Sequence, residues 1–243
     1  MAAIQTQNLT KRYKTKTAVD NLNLTIDEGE LFALLGVNGA GKTTTIKMLS
    51  CLTKPTSGDA FLMGYSVVSF PLKVKKLINV SPQETAVAPN LSVRENLELI
   101  AGINGFDTKT VRARVEQIIT EFSLGEVVKS KASTLSGGWQ RRLSIAMALV
   151  TEPKILFLDE PTLGLDVLAR RELWRIIETL KGKATIVLTT HYLEEAEALA
   201  DRIGIMANGK LVAVGTAQEL KDYAEVSKFE DAFIALCQGG ISQ

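Results

Sequence analysis

The stretch "LFALLGVNGAGKTTTIKMLSCL", residues 31–52, constrains the fold of this chain more than any other. Five apolar residues, Leu31 to Leu35, read as a buried strand. A glycine-rich turn follows, and then a helical pattern starts without a spacer. The turn runs Gly36, Val37, Asn38, Gly39, Ala40, Gly41, Lys42, Thr43, Thr44, and fits G-x-x-x-x-G-K-[ST]. Glycines let backbone N–H groups close on a phosphate. The lysine reaches the outer phosphates of a nucleotide, and the Thr43 hydroxyl faces Mg²⁺. A strand feeding such a turn into a helix implies an α/β core with the turn at the strand's C-terminal end.

Three further strand ends carry polar chemistry. "ILFLDE" is a buried-type strand that delivers Asp159 and Glu160 at its end. Beside a phosphate loop, Asp159 suits a Mg²⁺ carboxylate and Glu160 a general base for water. "ATIVLTTH" ends in His191, the one histidine of the chain. As a lone histidine it reads as structural; as a residue at a strand end next to Asp159 it reads as a γ-phosphate contact. Gln83, in "VSPQET", follows another short β-like run. Its carbonyl can meet Mg²⁺ or water. Tyr13, in "KRYKTKTAV", is either a strand-end aromatic or a plate for a base ring.

The pattern along the chain divides it. The first third is strand-rich. From Leu91 to Val150 it reads as a mainly helical insertion, opened by Ser92 and Glu95 in a capping-box arrangement. Val111, Val115, Ile118, Ile119 and Phe122 share one helical face. After Ile155, strands and helices alternate, which implies a parallel sheet covered on both faces. "IGIMANGKLVAVG" is hairpin-like, and "SKFEDAFIALCQ" is a short amphipathic helix. Inside the insertion, "TLSGGWQRRLSIAMAL" sets Ser136, Gly137 and Gly138 before an apolar-periodic run, as at a helix start. Unpaired N–H groups there are a second phosphate-facing element, about a hundred residues after the first.

Tyr13, "GVNGAGKTT", "SPQE", "LSGGWQRR", "ILFLDEPT", "GLD" and "TTH" stand in the order and spacing of the ATP-binding cassette ATPases, and the chain resembles that family to about residue 220. The resemblance implies a P-loop NTPase (RecA-like) core with a mainly parallel sheet, an antiparallel β subdomain and a helical signature subdomain at about 88–152. Residues 221–243 would form a short helical tail. It implies ATP and Mg²⁺ as ligands, with Tyr13 on adenine, residues 36–44 on phosphate, and Thr43, Gln83 and Asp159 around the metal. Catalysis would rest on Glu160 as base, with His191 and Gln83. By the same resemblance Ser136, Gly137 and Gly138 serve the nucleotide of a second subunit, docked head to tail through the loop of Asp166. Such a dimer has an isologous interface. Two positions depart from the family. Trp139 stands where a less bulky residue is usual, to shield the phosphate contact or to pack on the partner. Leu163 replaces a small polar residue and puts one cross-interface hydrogen bond in doubt.

Composition limits the partners. With 28 basic and 27 acidic residues, the net charge of +1 carries no general footprint for nucleic acid. Apolar residues make up 46%, yet no window holds the ~18 needed to span a membrane. The start lacks a signal-peptide stretch. A membrane role is therefore expected through a separate polytopic permease, on the inner face of the cell membrane. "HYLEEAEALADRIGIMANGKLVAVGT" and "FEDAFIAL" resemble the branch that exports drugs, antibiotics or lipids. The rivals are a soluble cassette ATPase on ribosomes or DNA and a regulator without turnover. The single cassette and absent heptads oppose the first, and Glu160 with His191 opposes the second. Cys51 and Cys237 read as unpaired thiols.

Overall fold

In the computed structural model, which describes residues 1–239, the chain starts with β1 (Ala2–Tyr13), β2 (Lys16–Leu22) and β3 (Thr25–Asp27). The run Leu31–Leu35 forms β4, and α1 (Lys42–Leu49) follows the glycine-rich turn. Next come β5 (Ser57–Leu62), β6 (Tyr65–Ser66), α2 (Pro71–Lys75) and β7 (Ile78–Ser81). The helical stretch holds α3 (Val93–Ile103), α4 (Thr108–Glu121) and α5 (Gly137–Leu149). Alternation resumes with β8 (Ile155–Asp159), α6 (Val167–Thr179), β9 (Thr185–Thr190) and α7 (Leu193–Leu199). The chain continues through the hairpin β10 (Arg202–Ala207) and β11 (Lys210–Gly215), then α8 (Ala217–Tyr223) and α9 (Phe229–Gly239).

Two sheets result. The central one has the order β11-β10-β4-β9-β8-β7, parallel except for the edge strand β11. Every residue of β4, β8 and β9 is buried, which is why these segments read as continuous apolar runs rather than alternating ones. The second sheet is antiparallel, with the order β2-β1-β5-β6 and β3 also paired to β1. One core lies between the central sheet and α3, α4, α5 and α6, with Phe122, Leu143, Leu158 and Leu188 in it. Another joins the antiparallel sheet to α1 and the opposite face, through Ile4, Phe32, Ile46 and Phe157. A third seats α7, α8 and α9 on β4 and β10.

The helical stretch has its own start signals. The Glu95 N–H donates to Ser92 Oγ at 3.2 Å and the Ser92 N–H to Glu95 Oε2 at 2.7 Å, so both halves of the capping box form at α3. Asp107 caps α4 by accepting from the N–H groups of Lys109 and Thr110. Val115, Ile118, Ile119 and Phe122 are buried together, with Val111 packed at the margin. The expected tail boundary at 220 falls inside α8, which packs with α9 as one unit on β10 and β11. Residues 240–243 of that tail lie outside the described part. Both cysteines are free and half-buried, and burial pushes both thiols up from their ordinary value. Among the described residues no helix is long and apolar enough to cross a membrane.

Candidate functional site

The parallel strands end together, and their C-terminal ends place the polar residues of the sequence patterns side by side. β4 runs into Gly36, β8 ends on Asp159, β9 leads into His191, and β7 leads to Gln83. They open on a cavity of about 540 Å³ lined by Tyr13, Asn38, Gly39, Gly41, Lys42, Thr43, Thr44, Gln83, Glu160 and His191, together with Lys16, Ala18 and Leu163.

The glycine-rich turn is held open by its backbone. Gly41 has φ +109°, and a Cβ there would stand 2.5 Å from the Ala18 carbonyl oxygen. Only glycine meets both conditions. Gly36, Val37 and Ala40 act through the main chain: the buried Lys42 ammonium donates to the Gly36 carbonyl at 2.7 Å and the Val37 carbonyl at 3.3 Å. Ala40 is itself buried in the core behind the turn. The same ammonium stands 3.4 Å from Glu160 Oε1. A carboxylate thus faces the lysine charge from within the cavity that the turn encloses.

Glu160 and Asp159 are fixed differently. Asp159 Oδ1 accepts from Thr43 Oγ1 at 3.2 Å and from Thr189 Oγ1 at 2.5 Å. Glu160 has φ 48°, a left-handed conformation uncommon for a residue with a side chain. Its N–H is held by the Thr189 carbonyl and hydroxyl, both at 3.1 Å. Its Oε2 lies 3.0 Å from His191 Nδ1, without the alignment of a hydrogen bond, so that buried nitrogen has no partner. Among the described residues no three His, Cys, Asp or Glu side chains converge. The oxygen pair of Thr43 and Asp159 nevertheless suits Mg²⁺, which takes one or two protein ligands and completes its shell with phosphate and water.

Tyr13 closes β1 at the cavity rim, half exposed, with the Lys11 ammonium 5.0 Å over its ring. Gln83 also lines the cavity and is exposed. Ser136, Gly137 and Gly138 are not part of this cavity. They begin α5 elsewhere on the surface, with Ser136 and Gly137 exposed. The N-cap side chains Ser92, Asp107, Asp166 and Thr216 each bond to their own helix, whereas Ser136 makes no such bond. Asp166 caps α6 by accepting from the Ala169 N–H at 2.9 Å. Next to it, Val167 and Leu168 expose their apolar side chains.

Trp139 borders a surface hollow with Arg142 and Glu172. It is half-buried against its own chain's core, with the Arg142 guanidinium 4.4 Å over its ring and Arg142 paired to Glu172 at 2.5 Å. Leu163 lines the cavity and is 38% exposed. Three residues that sequence reasoning passed over belong to the site's frame. Thr189 links Asp159 to Glu160. Arg141 is buried and donates to main-chain carbonyls on both sides of Glu160. Glu195 is fully buried and accepts from Trp174 Nε1 at 3.0 Å. Burial pushes the Glu195 carboxyl up and pulls Arg141 down to about 10, the latter offset in part by Asp159, Glu195 and Glu160. One signal for Arg141 was available: it precedes the buried Ile145 by one turn and so shares its face.

The profile of the family described as ABC transporter matches residues 19–163. The chain is 42% identical over 220 residues to the daunorubicin/doxorubicin resistance ATP-binding protein DrrA of Streptomyces peucetius, covering 90% of this chain and 67% of that protein. It is 43% identical over 250 residues to ABC transporter A family member 2 of Arabidopsis thaliana, covering 96% of this chain but only 25% of that one. A solved ATP-binding cassette, a dimer in a post-hydrolysis state bound to ADP and Pi, superposes with a TM-score of 0.79 at 28% identity, over 88% of this chain and 98% of that one.

Proposed function

The chain belongs to the ABC transporter family as an ATP-binding ATPase, and from that premise we propose that it works as a head-to-tail homodimer driving export through a separate polytopic membrane permease. The observation that carries this reading is one cavity in which Lys42, Thr43, Glu160 and His191 converge, while Ser136–Gly138 start a helix elsewhere with the Ser136 side chain uncommitted.

ATP enters with its base on Tyr13 and its phosphates in the turn of residues 36–44. The phosphates take Lys42 from Glu160, because an ammonium 3.4 Å from one carboxylate gains more from a polyanion beside it. Glu160 is then free to hold a water. As the water oxygen bonds to the γ-phosphorus, its proton passes to Glu160 and the bond to the β-phosphate oxygen breaks, leaving ADP and phosphate. His191, adjacent to Glu160, holds the γ-phosphate edge. Thr43, Asp159 and Gln83 would hold Mg²⁺, which neutralises phosphate charge. Ser136, Gly137 and Gly138 cap the γ-phosphate on the partner subunit's Lys42, with Asp166 in the contact loop between subunits.

The helical subdomain, about 88–152, faces the permease, with Gln83 at its entrance. The ATPase is then peripheral on the inner face of the membrane. The cargo proposed is of the drug, antibiotic or lipid kind, and the likeness to a daunorubicin/doxorubicin resistance protein supports the first two. No nucleic-acid partner is proposed.

Complementation in trans tests the reading. Lys42→Ala and Ser136→Ala homodimers each carry two damaged sites and should be nearly silent in phosphate release from Mg-ATP. Mixing them makes heterodimers with one intact site, so hydrolysis should return. In a tandem-linked dimer, a single Ser136→Ala lesion should leave about half the rate if sites fire independently. Silence of the mixture, with heterodimers shown by crosslinking and an active single-lesion tandem, overturns the trans arrangement.

A further inference from the structure

Arg141 is 4% exposed, and its guanidinium donates to five carbonyls rather than to a carboxylate. Nε donates to Pro161 O at 2.7 Å. One terminal nitrogen reaches Asp159 O at 2.8 Å and Glu160 O at 2.6 Å. The other reaches Pro82 O and, at 3.2 Å, Gln83 O. A guanidinium has five N–H donors in a fixed plane, and every one is used. The acceptors come from two separate segments, the start of the Gln83 loop and the end of β8.

The second segment contains the left-handed Glu160. A residue at φ 48° stays there only where its surroundings over-determine it. Here Thr189 holds its N–H from one side, and Arg141 holds the carbonyls before, at and after it from the other. Arg141 sits on α5 five residues beyond Ser136, about 7.5 Å along the axis.

Resting on the ATPase reading above, we propose that Arg141 is a positioning residue. It locks the Gln83 loop and the Glu160 peptide into one unit carried by α5, so that the helix start meeting the second nucleotide sets where the water-activating carboxylate stands. Lysine cannot replace it, because three tetrahedral donors cannot span five carbonyls in a plane.

The test uses the full chain. Wild-type turnover is measured first, with Lys42→Ala as the blank. If turnover is absent or survives in that blank, the ATPase reading falls and this inference with it. Arg141→Lys and Arg141→Gln are then compared for ATP affinity with a fluorescent ATP analogue, and for kcat and KM. A Glu160 misplaced by a fraction of an ångström should lower kcat by ~10- to ~100-fold with affinity within about twofold. In a Glu160→Gln background, measured at single turnover, Arg141→Lys should add no further loss, because it acts through that carboxylate. Wild-type kcat in both variants overturns the proposal alone, as does a loss that adds fully to Glu160→Gln. Failure of both variants to give folded protein also overturns it, since Arg141 would then serve the fold only.

Discussion

Lys42 and Glu160 face each other at the cavity, and this makes Lys42 a stability residue besides the binding role proposed for it. Their side chains are 4% and 9% exposed and their charged atoms are 3.4 Å apart. Lys42→Ala leaves the Glu160 carboxylate with only the misaligned His191 nitrogen, 3.0 Å away. Removing one partner of a fully buried pair costs ~3–5 kcal/mol. Glu160 borders an open cavity, so water recovers part of this, and about 2–3 kcal/mol is expected. For a chain of this length each kcal/mol moves Tm by ~2–4 °C, giving a fall of about 4–12 °C. Glu160→Gln should cost less, because Lys42 keeps the Gly36 and Val37 carbonyls as acceptors. The double variant Lys42→Ala/Glu160→Gln should therefore be more stable than Lys42→Ala alone, while hydrolysing no ATP. Urea and thermal unfolding of nucleotide-stripped protein close the cycle, with a coupling of ~1–2 kcal/mol. An unchanged Tm in Lys42→Ala, or a double variant less stable than that single one, would refute the reasoning.

Gly41→Ala should destabilise by roughly 3 kcal/mol or more, from backbone strain at φ +109° plus the clash with the Ala18 carbonyl. Gly39→Ala meets nothing within 4 Å and should show only the left-handed penalty, ~1–2 kcal/mol; equal urea midpoints for the two would contradict the geometry. Glu195→Gln tests the buried acid behind Trp174. Burial raises the Glu195 carboxyl above its ordinary 4.5, so its folded-state stabilisation is full below that value and is lost as pH rises through the raised one. The glutamine variant should thus gain on wild type as pH rises above 4.5, and a pH-independent difference in urea midpoint would show that the acid is not linked to folding.

Some parts of the molecule announce themselves in one dimension and others do not. β4, β8 and β9 were legible because both their faces are buried, which leaves uninterrupted apolar runs ending in chemistry. The capping box at α3 is a local device, so four residues suffice to read it. Thr189 was invisible because its work is cross-strand: within "ATIVLTTH" it is one more β-branched residue, and only the placement of β9 beside β8 brings it to Asp159. Arg141 was passed over for a related reason. A charge three residues after a glycine pair reads as solvated, and beyond the face it shares with Ile145 its five carbonyl acceptors from two distant segments leave no mark on the sequence. The partial packing of Trp139 against its own chain's core was not legible, because its neighbours in sequence read as a helix start rather than as a core face. The five-residue α2 was too short for any periodicity to show.

The register of the central sheet ties these cases together. A strand buried on one face carries its register in the alternation of apolar and polar side chains. β8 and β9 are buried on both, so alternation tells neither strand where to stop against the other. Polar pairs at the strand ends supply that information. Asp159 lies opposite Thr189, and their side chains bond at 2.5 Å. On the other side Leu35 lies opposite Thr190, and the Gly36 N–H reaches the Thr190 carbonyl at 3.4 Å. A slip of one residue would set Leu188 or Thr190 beside Asp159. Leucine would take from the buried Asp159 carboxylate the closer of its two donors, leaving Thr43 alone at 3.2 Å. Thr190 there would carry His191 one residue, about 3.3 Å, along the sheet and out of its present place 3.0 Å from Glu160 Oε2. The bond that aims the Asp159 carboxylate into the cavity region is therefore also the bond that fixes the register of β8 against β9, and site geometry and folding place the same demand on one threonine.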